Sequence, residues 1–226
     1  MFTTYESVRG LDEQALRALA RRGDPRERVW AAWALGVRLG PSFTREAVAA
    51  VDGEPSSGAR RHLIVMLAGF QERRIIEALA LHDPDELVRA TACQNLVRIS
   101  TCEQDLALPL DRATEDTSPW VRAAILRAAA GRWPESRIDP LLALAEDPTA
   151  FVRTVAIDRL SETMPLDDLM TRFVVRRLPQ ETNGRILRQL RGLCRRAGRL
   201  DLATTAAKGG SRYEAQRSSL LPLALD

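Results

Sequence analysis

The sequence contains few of the side chains that enzymes most often use to bind metals or to activate nucleophiles. Its 226 residues include two histidines, His62 and His82, and three cysteines. It has no CxxC, HExxH or GxSxG motif and no glycine-rich phosphate loop. The two histidines are best explained as surface or groove residues. We therefore expect no metal, no cofactor and no catalytic residue.

The sequence also lacks an apolar run long enough to cross a bilayer. Its first residues, Met1 to Glu6, lack the basic and apolar regions of a signal peptide. The three cysteines, Cys93, Cys102 and Cys194, are odd in number and show no close spacing, which argues against a disulfide framework. We therefore expect a cytoplasmic protein that does not enter a membrane.

Acidic and basic side chains are unevenly distributed along the chain. Only one of the 33 basic residues is lysine. Residues 101–170 carry 7 arginines against 13 acids, whereas residues 171–217 carry 12 basic residues against 3 acids. A basic segment of this kind is a candidate contact for an acidic partner.

A motif of an acid, a proline and a Val-Arg pair recurs along the chain at intervals of 29 to 33 residues. A period in this range is typical of stacked repeats. Six copies align on the following anchor pairs: Val29-Trp30, Ala59-Arg60, Val88-Arg89, Val121-Arg122, Val152-Arg153 and Gly184-Arg185. The acid stands five residues before the anchor in five of these copies.

Each copy of the motif predicts the start of a helix. An acid at the N-cap accepts a hydrogen bond from a free amide, and proline fits the first helical position. Apolar residues follow the anchor at four and eight positions, such as Leu63 and Leu67 or Trp33 and Val37, so one helical face is apolar. A second apolar segment precedes each acid. Each repeat is therefore expected to be two antiparallel helices, and the fold class all-α.

This pattern resembles HEAT repeats, in the short form called PBS-lyase HEAT-like, over roughly residues 11–195. The resemblance implies a right-handed α-solenoid of about six helical hairpins. It also implies a structural ladder of ion pairs between repeats, formed by Asp83, Asp116 and Asp147 with Arg60, Arg89, Arg122 and Arg153. Two copies depart from the pattern. The first has Trp30 in place of the arginine, and the sixth has Pro179 in place of the acid and Gly184 in place of the valine.

The repeats predict an array over residues 1–198, followed by C-terminal helices and a tail over residues 199–226. The expected hairpins span approximately 11–40, 41–70, 71–100, 101–132, 133–163 and 164–198. The C-terminal helices are expected to cap the last repeat, because terminal repeats must present a polar surface to water.

The repeats and the lack of catalytic motifs favour a non-catalytic scaffold or adaptor that binds another protein through a concave surface. Leu87, Trp120 and Phe151 occupy equivalent positions just before the anchors of three consecutive repeats. If they are exposed, these side chains form a stripe that anchors a partner. The alternative is that they pack between repeats.

The last predicted repeat carries the densest positive charge. Arg185, Arg188, Arg191 and Arg195 recur at steps of three and four residues, so most of them share one helical face. This face is a candidate docking surface for an acidic protein or for the phosphate backbone of a nucleic acid. The alternative is a solvated charged helix with no partner.

HEAT-like alkylpurine DNA glycosylases have a similar architecture and are the alternative to a scaffold. They use Trp, Asp and Arg side chains in a basic groove, where an acid can stabilise a cationic sugar and Trp can stack on a base. Asn95, Arg127 and Asp158 are expected to line the groove, with Asp158 as the candidate carboxylate and Trp120 as the candidate stacking residue. Against this alternative, Asp158 lies in the acidic third of the chain, which should repel phosphates.

Overall fold

The computed structural model describes residues 4–163, 168–196, 198, 199 and 201. Every regular element among these residues is helical, which confirms the all-α fold class. The chain divides into two compact units, Met1–Ala129 and Ala130–Asp226, called unit 1 and unit 2 below.

The described part of unit 1 is built from nine α-helices. Their bounds are α1 Tyr5–Val8, α2 Glu13–Arg22, α3 Pro25–Leu39, α4 Thr44–Asp52, α5 Ser57–Gly69, α6 Arg73–His82, α7 Glu86–Ile99, α8 Glu103–Glu115 and α9 Pro119–Ala128. A 3-10 turn, Gly40–Phe43, connects α3 to α4.

From α2 onward the helices of unit 1 pair in chain order: α2 with α3, α4 with α5, α6 with α7, and α8 with α9. The second helix of each pair also packs against the second helix of the next pair, so that α3, α5, α7 and α9 form one layer. The core includes Leu63 and Leu67 of α5, Leu96 of α7 and Ile125 of α9, all fully buried. Each such side chain contributes about 1.5–3 kcal/mol by leaving water.

The described part of unit 2 contains a 3-10 turn, Glu135–Arg137, and four α-helices. Their bounds are α10 Ile138–Leu144, α11 Ala150–Thr163, α12 Asp168–Arg177 and α13 Gly184–Arg196. α11 packs against both α10 and α13. Leu141, Ile157 and Leu190, one from each of these three helices, are fully buried and belong to the core of this unit.

The later motif acids lie two residues before the helix cap, rather than at the cap as the sequence predicts. α7 is capped by Asp85, whose carboxylate accepts hydrogen bonds from the N–H groups of Leu87 and Val88. Asp83, the motif acid, ends α6 and accepts a hydrogen bond of 2.9 Å from the N–H of Asp85. Ser118 caps α9 in the same way. The motif acid therefore fixes the turn between paired helices.

The first repeat follows a register that differs by two residues from the predicted one. Asp24 does cap its helix, α3. Arg28 stands four residues after this cap, just as Arg89 stands four residues after Asp85 in α7. Arg28, and not Trp30, therefore occupies the arginine position of the first repeat.

The same shift corrects the predicted apolar face of α3. Val37, expected on the buried face, is 68% exposed, whereas Leu35 is fully buried. Ala31 is also fully buried, and Trp33 is half-buried. The pair Ala31 and Leu35 therefore takes the place in α3 that Leu63 and Leu67 take in α5.

The acid position of the sixth repeat belongs to Glu181, and its assignment to Pro179 is wrong. Asn183 follows two residues later and caps α13, since its side chain accepts hydrogen bonds from the N–H groups of Arg185 and Ile186. The helices expected over residues 199–226 lie outside the described residues, apart from positions 199 and 201. The hairpin boundaries expected from the sequence stay predictions.

Candidate functional site

A ladder of ion pairs joins neighbouring repeats within each unit. Arg60 of α5 donates Nε and Nη2 to the carboxylate of Asp83, both at 2.8 Å. Arg89 of α7 binds Asp116 in the same way, both at 2.9 Å. Two parallel hydrogen bonds of this kind fix direction as well as distance. These two pairs are the ones that the repeat pattern predicts.

Each ladder arginine also holds the turn of its own repeat. Nη1 of Arg89 donates to the carbonyl oxygens of Asp83 and Pro84, at 3.0 and 3.3 Å. Arg122 and Arg153 bind the carbonyls six and five residues before them in the same geometry. One guanidinium therefore donates hydrogen bonds to polar groups in two consecutive turns. The planar guanidinium has enough donors in a fixed arrangement for this, whereas the ammonium group of a lysine does not.

The structure adds two rungs that the sequence did not predict. Arg28 donates Nε and Nη2 to Glu54 at 2.7 and 2.6 Å. In unit 2, Arg153 binds Glu181 at 3.0 and 3.1 Å. Both acids stand two residues before the residue that caps the next helix, and each accepts the N–H of that cap residue. This spacing of acid and cap could have identified both rungs from the sequence.

The acids of the ladder are held in the ionised form. Burial alone would raise the pKa of Asp116, whose side chain is fully buried. Hydrogen bonds from Arg89, from the Ser118 N–H and from Arg112 outweigh burial and hold this pKa below its ordinary value. The pKa of Glu181 is lowered by the same balance of burial and donors.

The remaining predicted ladder residues, Arg122 and Asp147, are also buried. Asp147 accepts a hydrogen bond of 2.7 Å from the N–H of Thr149. Arg122 donates to the carbonyl oxygen of Asp116 at 2.7 Å. The expected pairing of Arg122 with Asp147 stays a prediction. Because these groups are buried and already engaged, the ladder stabilises the fold and does not present a binding surface.

Large apolar side chains are exposed on one face of the layer formed by α3, α5, α7 and α9. Leu87 of α7 and Trp120 of α9 are 45% and 56% exposed, and Val65 of α5 is 37% exposed. Each residue of an α-helix turns by about 100° around the helix axis. By this count, each of these three side chains, and Val37 of α3, lies about 140–180° around the axis from the ladder arginine of its own helix. They therefore share one face of unit 1, opposite the ladder.

Leu87 and Trp120 occupy the same position in adjacent helices, two residues before Arg89 and Arg122. Packed helix axes lie about 8–10 Å apart, so these two side chains are neighbours on the exposed face. Their exposure favours the predicted stripe over packing between repeats. Phe151, the third predicted member, belongs to unit 2 and is half-buried.

Polar side chains continue this face of unit 1 toward the ends of α7 and α9. Arg98 of α7 and Arg127 of α9 are both exposed. Asn95 was expected here too, but it is buried, and its amide donates to the carbonyl oxygen of Thr91 at 2.8 Å. It stands six residues after Arg89 rather than five, which turns it by about 100° from the exposed face.

A second candidate site is a groove of about 560 Å³ in unit 2, between α11 and α13. It is lined by Asp158, Ser161, Arg185, Arg188, Gln189, Gly192 and Arg196. Three arginines against one acid make the groove basic. The described surroundings of Asp158 therefore differ from the acidic segment in which it lies, because α13 brings arginines from a distant part of the chain next to this carboxylate. The expected repulsion of phosphates stays a prediction.

Asp158 is held in place by α13. Its carboxylate accepts a hydrogen bond from Nε2 of Gln189, which also donates to the carbonyl oxygen of Thr154 at 3.4 Å. The hydroxyl of Ser161 donates to the carbonyl oxygen of Asp158 at 2.7 Å. These bonds fix one wall of the groove.

The predicted basic face of α13 divides into two parts. Arg185, Arg188 and Arg196 lie within about 40° of Gly192 around the helix axis and line the groove. Arg195 and Arg191 lie about 60° and 100° from Gly192, and neither lines the groove. Arg195 is exposed, whereas Arg191 is half-buried. Arg196 was missed as a site residue, although it stands three helical turns after Arg185.

The described residues offer no cluster of three or more His, Cys, Asp or Glu side chains that could hold a metal ion. Nδ1 of His62 lies 2.8 Å from the carbonyl oxygen of Gly58, on an exposed part of α5. Asp158 and Trp120, the two candidate glycosylase residues, belong to different units. Among the described helices, none combines the length and apolar character that a membrane span requires.

Within each unit, neighbouring helix pairs are joined by ion pairs between an arginine and a carboxylate. Residues 75–161 match the family model of HEAT repeats, so this part of the chain consists of HEAT repeats. No curated protein matches the sequence significantly, and no solved structure does. HEAT repeats commonly serve as scaffolds for protein interactions, and the family is generally non-catalytic.

Proposed function

We propose that this protein is a non-catalytic adaptor that binds another protein through the exposed face of the α3, α5, α7 and α9 layer. The observation that carries this proposal is the shared orientation of Leu87, Trp120, Val65 and Val37 on that face. Exposed apolar side chains grouped in this way mark interaction surfaces more often than isolated ones do. Trp120 is the strongest candidate anchor, since tryptophan is enriched at the energetic centres of interfaces.

The surface suits an amphipathic helix with an apolar stripe and flanking acids. Leu87 and Trp120 offer adjacent apolar contacts at the start of α7 and α9. Arg98 and Arg127 lie further along the same face and complement acidic side chains. A helix that lies on such a surface uses residues spaced three and four apart as anchors.

Selection of helical peptides from a displayed library against the full chain tests this proposal. Replacing Leu87 and Trp120 together by serine should weaken the selected peptides by about 30-fold, the equivalent of one interface hot spot of about 2 kcal/mol. Isothermal titration calorimetry measures the change. Neither side chain is buried, so the melting temperature should stay close to that of the wild type.

The matched control is the double replacement of Leu81 and Val175 by serine. These residues are 40% and 49% exposed, but they lie on α6 and α12, outside the layer. Peptides that bind the layer should bind this variant normally. Equal losses in both variants, or full binding by the Leu87 and Trp120 variant, would remove the proposed surface.

A cytoplasmic location is part of the same proposal. Cys93, Cys102 and Cys194 are all free, although Cys102 is exposed. Free thiols are stable in a reducing compartment. Burial raises the pKa of the Cys93 thiol to about 12, so this residue packs as a small apolar side chain.

A further inference from the structure

We propose that the groove between α11 and α13 binds the phosphate backbone of double-stranded nucleic acid through Arg185, Arg188 and Arg196. The site is separate from the apolar face of unit 1, and its failure would leave the adaptor proposal intact. It rests on four observations: the direction of the arginines, the composition of the groove, its length, and the glycine in its floor.

The three arginines are available to a ligand. The ion pairs described in unit 2 are made by other arginines, namely Arg153, Arg159, Arg176, Arg177 and Arg199. Arg185, Arg188 and Arg196 are exposed and form no ion pair with the described residues of the chain. Guanidinium groups of this kind bind phosphate oxygens with two parallel hydrogen bonds.

The composition of the groove favours a phosphate backbone over a protein. Among the described residues, its lining consists of charged and polar side chains and one glycine, with no apolar side chain. A protein interface needs an apolar centre, whereas phosphate binding needs positive charge and hydrogen-bond donors. The part of the lining that the structure describes also has no aromatic side chain, which single-strand binding proteins use to stack bases. Duplex is therefore the favoured form.

The arginines extend along the helix far enough to follow several phosphates. Eleven residues separate Arg185 from Arg196, which corresponds to about 16 Å along the axis of α13. One strand of B-DNA carries a phosphate about every 3.4 Å along its axis, so this row spans about five phosphates.

Gly192 leaves room for the backbone to approach α13. Glycine in a helix interior is unfavourable unless its small size is needed. Among the described residues, a Cβ at position 192 would meet only the end of the Arg196 side chain, at 3.7 Å, so packing against these residues does not require glycine. Because Gly192 lies among the three arginines in the groove, the absence of a side chain there admits a phosphate between them.

Binding of a labelled random-sequence DNA duplex to the full chain, followed by fluorescence anisotropy from 50 to 200 mM salt, tests this proposal. The triple variant Arg185→Gln, Arg188→Gln, Arg196→Gln should have a salt slope smaller by about 2–3. Between 50 and 200 mM salt, the affinity of the wild type should fall by about 40-fold more than that of the variant. This factor follows from a fourfold increase in salt and the loss of three phosphate contacts in the variant.

The control is a variant that loses the same number of positive charges outside the groove. Arg22, Arg45 and Arg74 are exposed residues of unit 1, and their joint replacement by glutamine should leave the salt slope within about one unit of the wild type. If both triple variants reduce the slope equally, binding follows net charge and the groove is not the site.

Two further variants examine the groove without removing an arginine. Gly192→Leu should weaken duplex binding while the melting temperature is kept or raised, since leucine is a good helix former. Asp158→Asn should strengthen binding, because it removes the one acid among the described lining residues. Unchanged affinity in both variants would contradict the proposed position of the phosphates.

Three binding results, with duplex DNA, single-stranded DNA and an acidic peptide, would overturn the proposal. No duplex binding at 50 mM salt would rule it out. Tighter binding of a single strand than of the duplex would contradict the preference for duplex. Binding of a polyglutamate peptide that depends on the three groove arginines, with duplex binding that does not, would assign the groove to an acidic protein instead.

Discussion

Arg89 donates two hydrogen bonds of 2.9 Å to the carboxylate of Asp116, which lies 27 residues further along the chain. The third donor group of the same guanidinium binds the turn that precedes its own helix, at the carbonyl oxygens of Asp83 and Pro84. One side chain therefore connects two turns that are distant in sequence, and this connection makes its removal costly.

Replacing Arg89 by alanine should destabilise the protein by about 1–3 kcal/mol, because a buried carboxylate and two turn carbonyls lose their donor. Arg112 stays in place and limits the loss, since it binds Asp116 at 2.6 Å. Urea denaturation measures the change. Arg22→Ala, on the exposed end of α2, is the control and should change stability by less than about 0.5 kcal/mol. An unchanged unfolding midpoint for Arg89→Ala would contradict a structural role for the ladder.

Stability should fall in acid as the ladder carboxylates become protonated. The pKa values of Glu54, Asp116 and Glu181 are lowered in the folded protein, where burial is outweighed by hydrogen bonds from arginines and backbone N–H groups. A lowered folded pKa gives a contribution that is complete above the unfolded pKa, about 3.9 for Asp and 4.3 for Glu. We therefore expect this contribution to be constant from pH 7 to about 5 and to be lost below about pH 4.

Urea denaturation at pH 7, 5, 4 and 3 checks this expectation. The variant Asp116→Asn removes one of the titrating groups, so its stability should depend less on pH in the acid range. An increase in wild-type stability between pH 5 and pH 3 would show that these acids are not stabilised as carboxylates.

The three cysteines should react at very different rates in the native protein. Cys93 is buried and its thiol pKa is about 12, and burial also raises the pKa of Cys194. Cys102 is exposed. Because the thiolate is the reactive form, a thiol reagent at pH 8 should label one cysteine rapidly in the native state and three in urea. Peptide mapping should locate the rapid label at Cys102, and rapid labelling of Cys93 would contradict its buried position.

Glycosylase activity is not expected, although Asp158 does lie in a basic groove. The test is incubation of the protein with DNA that contains a cationic methylated purine, followed by measurement of the released base. Release that disappears in Asp158→Asn would overturn the adaptor proposal. The same variant is expected to bind duplex more tightly, so the binding assay and the base-release assay test the two proposals independently.

Much of the fold could be predicted from the sequence because the repeat controls it locally. The pairs of Arg60 with Asp83 and of Arg89 with Asp116 follow from residues in register. The first repeat was misaligned because Val29-Trp30 resembles the Val-Arg anchor in its first residue. The cap residue is the better reference, since Asp24 and Asp85 both precede their arginine by four positions.

The groove in unit 2 could not be predicted from local sequence. The segment around Asp158 is acidic, yet Arg188 and Gln189 are brought to it from about thirty positions away by the packing of α13 on α11. Charge counted along a chain does not report charge in space. Leu87 and Trp120 could be identified as equivalent positions, but their exposure depends on how α7 and α9 pack, which the repeat pattern left open.

The shared rungs also govern how unit 1 comes apart. Each arginine binds groups in two successive turns. If an internal helix pair unfolds alone, one neighbouring pair therefore keeps a buried acid without its arginine, and the other keeps an arginine without its acid. A terminal pair breaks only one such connection. Local opening should therefore start at the ends of the layer, and amide hydrogen exchange should be slowest in α5 and α7 and faster in α3.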